Sequence, residues 1–223
     1  MTKSFAFAAV RAPTRVVHCA EALRWLSDRP VLAGCSVVTS LPDASELPGV
    51  SFAAWRGWFA DAAALVLSRT PPDGAALFYQ TDVKRAGAWV DKAYLVQRAA
   101  EEAGLALLFH KIACRSPPGP PSSGLAAYAH LLCFSRGLRA DLGRATADVL
   151  PDAGAMTWVR AIGLAACREA CRWILENTAT RTVVDPFCGV GTVLAVANEL
   201  GMDAVGVELN KKRARKARTL ALD

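Results

Sequence analysis

The stretch that most constrains the fold lies late in the chain, at residues 181–210. It contains a β-branched apolar run that ends in Asp185, a Gly-Val-Gly turn at 189–191, a helical run, and a second apolar run that ends in Glu208. This order predicts a strand, a tight turn, a helix and a second strand. Glycine tolerates positive φ and lets a ligand approach the backbone, and the amides at a helix N-terminus point at such a ligand. The stretch therefore predicts half of a nucleotide-type binding site.

Two carboxylates in this stretch narrow the choice of ligand. Glu208 lies about 20 residues beyond the glycines, where an acidic residue hydrogen-bonds ribose hydroxyls in doubly wound folds. Asp185 precedes the turn and would repel a pyrophosphate, and the third glycine of the dinucleotide fingerprint is absent. A carboxylate at this place suits a ligand that carries an ammonium or sulfonium charge.

The same residues carry a family resemblance. The string Asp185-Pro-Phe-Cys-Gly-Val-Gly-Thr192, followed by Gly206-Val-Glu-Leu-Asn210, resembles the S-adenosylmethionine (SAM) site of Rossmann-like methyltransferases that act on nucleic-acid bases. The resemblance implies that SAM is the cofactor. It assigns cofactor binding to Asp185, Pro186, Phe187, Gly189, Gly191, Thr192 and Glu208.

Glu21 is a further cofactor candidate. In the resembling family, an acidic residue just before an Ala-Leu-x-x-Leu helix contacts the adenine end of SAM, and Glu21 precedes such a string at residues 22–26. The alternative is that Glu21 only stabilises the first turn of this helix by complementing its dipole.

A second polar stretch lies early in the chain, where an apolar run opens into Ser40-Leu41-Pro42-Asp43. It resembles the catalytic motif of amino-methyltransferases, which is usually Asn, Asp or Ser, then Pro-Pro, then an aromatic residue. The resemblance implies that Ser40 and the Leu41 carbonyl accept hydrogen bonds from the target amine, while Pro42 stiffens the turn. Asp43 stands where the base-stacking aromatic residue is expected. It is a candidate proton acceptor or ligand of a base edge, or else a cap of the next helix.

The order of these two stretches is the reverse of the common arrangement in this fold. If the last two predicted strands are the family's first and second, the chain is a circular permutation opened between its second and third strands; such openings are tolerated where termini lie close together. We therefore expect one α/β domain over residues 1–223, with a seven-stranded Rossmann-like sheet flanked by helices. The predicted strands centre on Val16, Val37, Leu77, Leu107, Leu131, Val183 and Val205.

Composition bounds the possible partners and the compartment. The chain has a net charge of +6, and much of it lies at residues 211–218, which suits a polyanion unless this is only a solvated helix face. No apolar run approaches the roughly 20 residues that span a bilayer. The 7 cysteines show no paired Cys-x-x-Cys motif, so reduced thiols in the cytoplasm are expected. Cys167 and Cys171, one helical turn apart, are assigned to helix packing rather than to a metal.

The sequence thus predicts a SAM-dependent methyltransferase acting on a base nitrogen of RNA, either tRNA or rRNA. RNA is favoured because residues 136–156 are too few for a separate DNA-reading domain. Asp82, Lys84 and Arg85, at the carboxyl end of a predicted strand, are substrate-side candidates.

Three alternatives stay open. The first is a DNA adenine or cytosine amino-methyltransferase. The second is an enzyme with the same cofactor and a protein or small-molecule acceptor. The third is a non-catalytic RNA-binding subunit with a SAM fold, which the unusual Leu41 and Asp43 suggest.

Overall fold

The structure is a computed structural model that describes residues 11–121, 124–140 and 146–222. Within these ranges the strands are β1 (Arg15–His18), β2 (Cys35–Thr39), β3 (Ala76–Gln80), β4 (Val83–Arg85), β5 (Ala88–Val90), β6 (Ala106–Cys114), β7 (Tyr128–Ser135), β8 (Val149–Leu150), β9 (Thr182–Asp185) and β10 (Asp203–Val207). The helices are α1 (Ala22–Ser27), α2 (Phe52–Arg69), α3 (Lys92–Glu102), α4 (Leu164–Asn177), α5 (Thr192–Glu199) and α6 (Lys211–Thr219).

The main sheet has the strand order β1-β10-β9-β2-β3-β7-β6-β8. Its strands pair in parallel except that β7 is antiparallel to both β3 and β6. One buried cluster holds the apolar faces of α1, α2 and α3, and another holds those of α4, α5 and α6. Helices therefore cover both faces, which is why the central strands β2, β3 and β9 are buried along nearly their whole length.

The sheet order confirms the predicted permutation. Strand β9, late in the chain, lies in the middle of the sheet between β10 and β2, which belongs to the first quarter of the chain. Val183 and Val184 of β9 are almost completely buried, as expected for a strand packed by helices on both sides. The stretch that carries the glycine turn and the stretch that carries Ser40 thus leave neighbouring strands.

The predicted count of seven strands was too low, because the main sheet has eight strands in the described part of the chain. The additional strand is β8, which pairs with β6 through Ile112↔Val149 and Ala113↔Leu150. A pair of apolar residues between polar, glycine-containing segments has no periodicity that sequence analysis could recognise.

The apolar residues Trp158, Ile162, Cys167, Cys171 and Ile174 predict a helix over residues 156–177, but helix α4 begins only at Leu164. Its first amides donate to carbonyls that precede it, from Leu164 to Ala155 (2.9 Å) and from Ala166 to Ala153 (3.1 Å). The chain must turn back sharply to do this, and a Cβ on Gly163 would lie 2.2 Å from the Ala153 carbonyl oxygen. Residues 156–163 therefore form an irregular segment.

None of the helices described is long and apolar enough to cross a membrane. All seven cysteines are free thiols, and Cys167 and Cys171 are fully buried in α4, where the sequence assigned them to packing.

Candidate active site

The two predicted stretches meet at one edge of the sheet. Strand β9 pairs with β2 and β10 in parallel, so the residues that follow these three strands emerge at the same edge. A cleft of about 250 Å³ opens there. The predicted site residues that line it are Glu21, Ser40, Leu41, Pro42, Asp185, Pro186, Phe187, Gly189, Thr192 and Glu208.

The two glycines of the turn have different roles. Gly189 has a φ of 54°, and a Cβ there would lie 3.1 Å from the ring of Trp158, which also lines the cleft. Gly191 has a φ of 91° and faces away from the cleft, where a Cβ would lie 2.8 Å from the Cα of Ala217 in α6. Gly191 thus lets α6 pack closely against the turn and is not part of the cleft lining, and its predicted contact with the cofactor stays a prediction.

Asp185 is a buried acid at the floor of the cleft. Its Oδ1 accepts hydrogen bonds from Thr39 Oγ1 (2.7 Å) and the Phe187 amide (3.1 Å). Burial, helped by the charge of Glu208, raises the pKa of Asp185 to about 7, although the two hydrogen bonds oppose the rise. Among the described residues, none donates a hydrogen bond to Oδ2. A cation beside this carboxylate would return it to the ionised form.

Glu208 is fixed by the start of the last helix. Its Oε1 accepts the Asn210 amide (2.6 Å) and Arg213 Nη2 (2.9 Å). The guanidinium of Arg213 lies 5.6 Å from the ring centroid of Trp158, and both residues line the cleft. Arg213 Nε is buried and has no hydrogen-bond partner in the part of the chain that the structure describes. The cleft wall therefore presents a carboxylate that is held in place by a backbone amide and a guanidinium.

The turn after β2 is held from behind. The Pro42 carbonyl accepts a hydrogen bond from the indole Nε1 of Trp55 in α2 (3.1 Å), and the Leu41 side chain is buried against the same helix. Ser40 is half-buried and lines the cleft. The turn is thus a rigid element whose polar groups are available to a ligand only at Ser40 and Leu41.

Asp43, the last residue of the predicted catalytic motif, is not part of the cleft lining. Its Oδ1 forms an ion pair with Nζ of Lys92, whose side chain is only 3% exposed. Its amide donates to Glu46 Oε1 (3.1 Å) in a short 3₁₀ turn, Ala44–Glu46, for which Asp43 is the N-cap. Of the roles that the sequence left open, the structure favours capping.

Glu21 lines the cleft but is committed to the helix that follows it. Its Oε1 accepts the amide of Leu23 (3.0 Å) and its Oε2 accepts the amide of Arg24 (2.6 Å). The alternative of an acid stabilising the first turn of α1 is therefore realised, and the adenine contact stays a prediction.

The cleft also contains residues that the motifs did not reveal. Trp58 of α2 meets Phe187 edge-on, with ring centroids 6.0 Å apart. Arg160 forms an ion pair with Glu46 (3.0 Å), which connects the irregular segment 156–163 to the turn after β2. The aromatic residues at the start of α2 were expected mainly to pack, with base stacking as the alternative. The start of segment 156–163 resembles the segment that closes over the methionine end of SAM, which makes Thr157 and Trp158 cofactor candidates, and Trp158 lines the cleft.

Asp82, a substrate-side candidate, is the centre of a buried hydrogen-bond network beside the cleft. It accepts the Lys92 amide (2.9 Å) at Oδ1 and meets His130 Nε2 (3.0 Å) at Oδ2, and His130 Nδ1 contacts His110 Nε2 (2.9 Å). Burial acts to raise the pKa of Asp82, but these hydrogen bonds outweigh it and hold the pKa below its usual value. The acid is therefore ionised and its oxygens are already used by the protein.

The chain is similar in sequence to a family of DNA methylases and in structure to several solved methylases. A family model described as DNA methylase matches residues 172–219, and no curated protein sequence matches the chain significantly. A protein of Thermus thermophilus assigned as a DNA modification methylase has 21% identity and a TM-score of 0.70, with 92% of each chain covered. Its complex with S-adenosyl-L-methionine aligns with 22% identity and the same TM-score.

The PvuII DNA methyltransferase, which is cytosine-N4-specific, has 16% identity and a TM-score of 0.68, with 94% of this chain and 87% of that chain covered. Both proteins therefore share the arrangement of strands and helices across nearly all of this chain. The chain has the permuted Rossmann-like fold of SAM-dependent DNA methyltransferases, and the segment matched by the DNA methylase family model contains its glycine turn.

Proposed function

We propose that this chain is a SAM-dependent methyltransferase that methylates the exocyclic amino group of adenine or cytosine in DNA. The observation that carries the proposal is that the Ser40-Leu41-Pro42 turn and the Asp185 to Gly189 turn line one cleft. The DNA methylase family model and the similarity to a cytosine-N4 methyltransferase support DNA. The sequence alone favoured RNA, whereas the matching family model and the structure of the cytosine-N4 methyltransferase support the DNA alternative.

The groups in the cleft fit SAM. When bound, SAM supplies an electrophilic methyl group on a positively charged sulfur. Asp185, whose carboxyl is buried and forms no ion pair with any residue that the structure describes, suits the positive charges of such a ligand. Glu208, which lines the cleft, suits ribose hydroxyls. Gly189 leaves room between the backbone and Trp158.

The acceptor side uses the turn after β2. The Ser40 hydroxyl and the Leu41 carbonyl accept hydrogen bonds from the target amine, so that its lone pair points at the methyl carbon. As the nitrogen becomes positive during the transfer, the same two oxygens stabilise its N–H bonds. Trp58 provides an aromatic ring in the cleft, where the motif itself has none, against which a flipped base can pack.

Methyl transfer from labelled SAM to separate DNA, RNA and protein fractions tests the proposal. We expect label in DNA, recovered as N6-methyladenine or N4-methylcytosine after digestion to nucleosides. Label confined to RNA or protein would replace the proposed substrate, and folded protein that fails to bind SAM by titration calorimetry would remove the enzyme altogether.

Ser40→Ala sharpens the test, because it removes one acceptor of the target amine. We expect kcat to fall by about 10-fold or more with an unchanged Kd for SAM. Ser45→Ala is the matched control, since Ser45 is exposed and lies outside the cleft lining. Equal activity of the two variants would exclude Ser40 from the reaction.

A further inference from the structure

Strands β4 and β5 form a hairpin outside the main sheet. Its two turn residues, Ala86 and Gly87, both have positive φ, 48° and 80°, the backbone of a type I′ turn that suits the twist of short hairpins. Every residue from 84 to 89 is exposed. Trp89 lies in β5, and helix α3 begins three residues later, at Lys92.

The exposed surface of this β4–β5 hairpin combines two cations with a large aromatic ring. Lys84 lies directly opposite Trp89, with Nζ 5.6 Å from the ring centroid, and Trp89 is 51% exposed. In the described ranges no acidic side chain pairs with Lys84 or Arg85. Cationic side chains without an acidic partner, next to an exposed aromatic ring, are typical of protein surfaces that bind nucleic acids.

The hairpin also lies next to the acceptor side of the cleft. It follows β3, the parallel neighbour of β2, so it leaves the sheet at the same edge as the Ser40 turn. The Arg85 guanidinium lies 5.8 Å from the ring of Phe52, which stacks on Trp55 at 5.1 Å. Trp55 in turn donates to the Pro42 carbonyl. A direct series of contacts therefore joins the hairpin to the turn.

The base of the hairpin is fixed to that turn. Asp82, just before β4, accepts the amide of Lys92, just after β5, and this bond closes the base. The Lys92 ammonium then pairs with Asp43. The Lys92 side chain is buried and the Asp43 side chain is 39% exposed, so the ion pair joins the base of the hairpin to the turn at the protein surface.

We propose that the β4–β5 hairpin binds the backbone of duplex DNA beside the target base, with Lys84 and Arg85 on phosphates and Trp89 against a flanking sugar or base. This inference rests on the proposed function, and it assigns the contact surface for the substrate. Charge complementarity and the position beside the acceptor turn both favour a phosphodiester backbone as the occupant.

The test is binding of a labelled DNA duplex by fluorescence anisotropy over a range of salt concentrations. For Lys84→Ala with Arg85→Ala we expect about 10-fold weaker binding and a slope of log K against log salt that is smaller by about 2. Trp89→Ala should weaken binding by about 10-fold, with partial recovery in Trp89→Phe. The Kd for SAM should be unchanged in all of them.

The control is Arg136→Ala with Arg172→Ala, which removes the same charge from two exposed positions away from the hairpin. Arg136 follows β7 at the edge of the sheet where β3 begins, and Arg172 lies on α4, on the other face of the sheet. If the hairpin variants bind DNA as the control does while the wild type methylates DNA, the hairpin inference is wrong and the proposed function stands. If the wild type binds SAM but neither binds nor methylates DNA, both are wrong.

Discussion

At the scale of single residues, ionisation of the Asp185 carboxyl has opposite effects on folding stability and on the cofactor binding that we propose for it. Its carboxyl is buried with one oxygen hydrogen-bonded, and its pKa of about 7 lies far above the 3.8 of a free aspartate. The folded protein thus favours the protonated form. The stability that this group contributes is complete below pH 3.8 and is lost as the pH rises through about 7.

We therefore expect Asp185→Asn to stabilise the protein without SAM, by about 1–4 kcal/mol near pH 8 and by less near pH 5. The amide keeps an oxygen that can accept from Thr39 and Phe187 but removes the buried charge. Urea unfolding at the two pH values measures this. Asp73→Asn, in an exposed turn, should change nothing, and a destabilised Asp185→Asn protein would contradict the argument.

The affinity for SAM should increase as the pH rises through about 7, because Asp185 must ionise to meet a cation. Below that pH the affinity should fall by up to about 10-fold per pH unit. Titration calorimetry from about pH 5.5 to pH 8.5 measures the change. In Asp185→Asn the affinity should be weaker and nearly independent of pH, so a wild type with flat affinity would show that this carboxylate does not face the ligand.

At the scale of elements, helix α2 holds the turn after β2, residues 40–42, through a hydrogen bond from Trp55. Trp55 is completely buried, and its indole N–H is the donor that holds the Pro42 carbonyl. Losing this donor leaves a carbonyl unpaired, whereas a phenylalanine ring fills most of the same space. A Trp55→Phe substitution therefore removes the hydrogen bond to Pro42 while keeping most of the ring's packing.

Trp55→Phe should reduce stability by about 1–2 kcal/mol and kcat by several-fold, with the Kd for SAM unchanged. Trp25→Phe is a suitable control, because the Trp25 Nε1 is buried in the same core cluster without a hydrogen-bond partner in the described part of the chain. Steady-state kinetics and urea unfolding of both variants give the comparison. Equal loss of kcat in the two would assign the effect to packing alone.

The elements that could be predicted from sequence are those with strong local signals. The glycine turn between β9 and α5 followed from its string of residues, and so did the strand-to-helix order around it. Strand β8 and the β4–β5 hairpin were missed because strands of two or three residues have no measurable periodicity. The partner of Asp43 could not be predicted either, since Lys92 lies 49 residues away and only the fold brings the two together.

At the scale of the whole molecule, the permutation is visible where the two ends of the described chain meet. Arg15 of β1 donates to the carbonyls of Ala217 (3.2 Å) and Leu220 (2.7 Å) at the end of α6. Strand β1 also pairs with β10, the last strand of the chain. Strand β1 thus lies beside β10 in the sheet although no peptide connects α6 to β1. The order of the motifs in the sequence suggested this arrangement but could not establish it.

A rearranged chain should consequently fold. We expect a variant in which a short linker joins residues 222 and 11, and which is opened between the exposed residues Arg139 and Ala140, to bind SAM within about 3-fold of the wild type. This variant restores the common order, with the cofactor turn before the catalytic turn. Circular dichroism and SAM titration are the measurements, and an unfolded product would show that the present order is needed for folding.

The ion pair between Lys92 and Asp43 has a consequence for how a substrate is presented. The buried Lys92 ammonium joins the β4–β5 hairpin to the turn after β2. A displacement of the hairpin would therefore displace the turn as well. In a complex of the proposed kind, the separation between the anchored phosphates and the nitrogen that accepts the methyl group is therefore fixed by the fold.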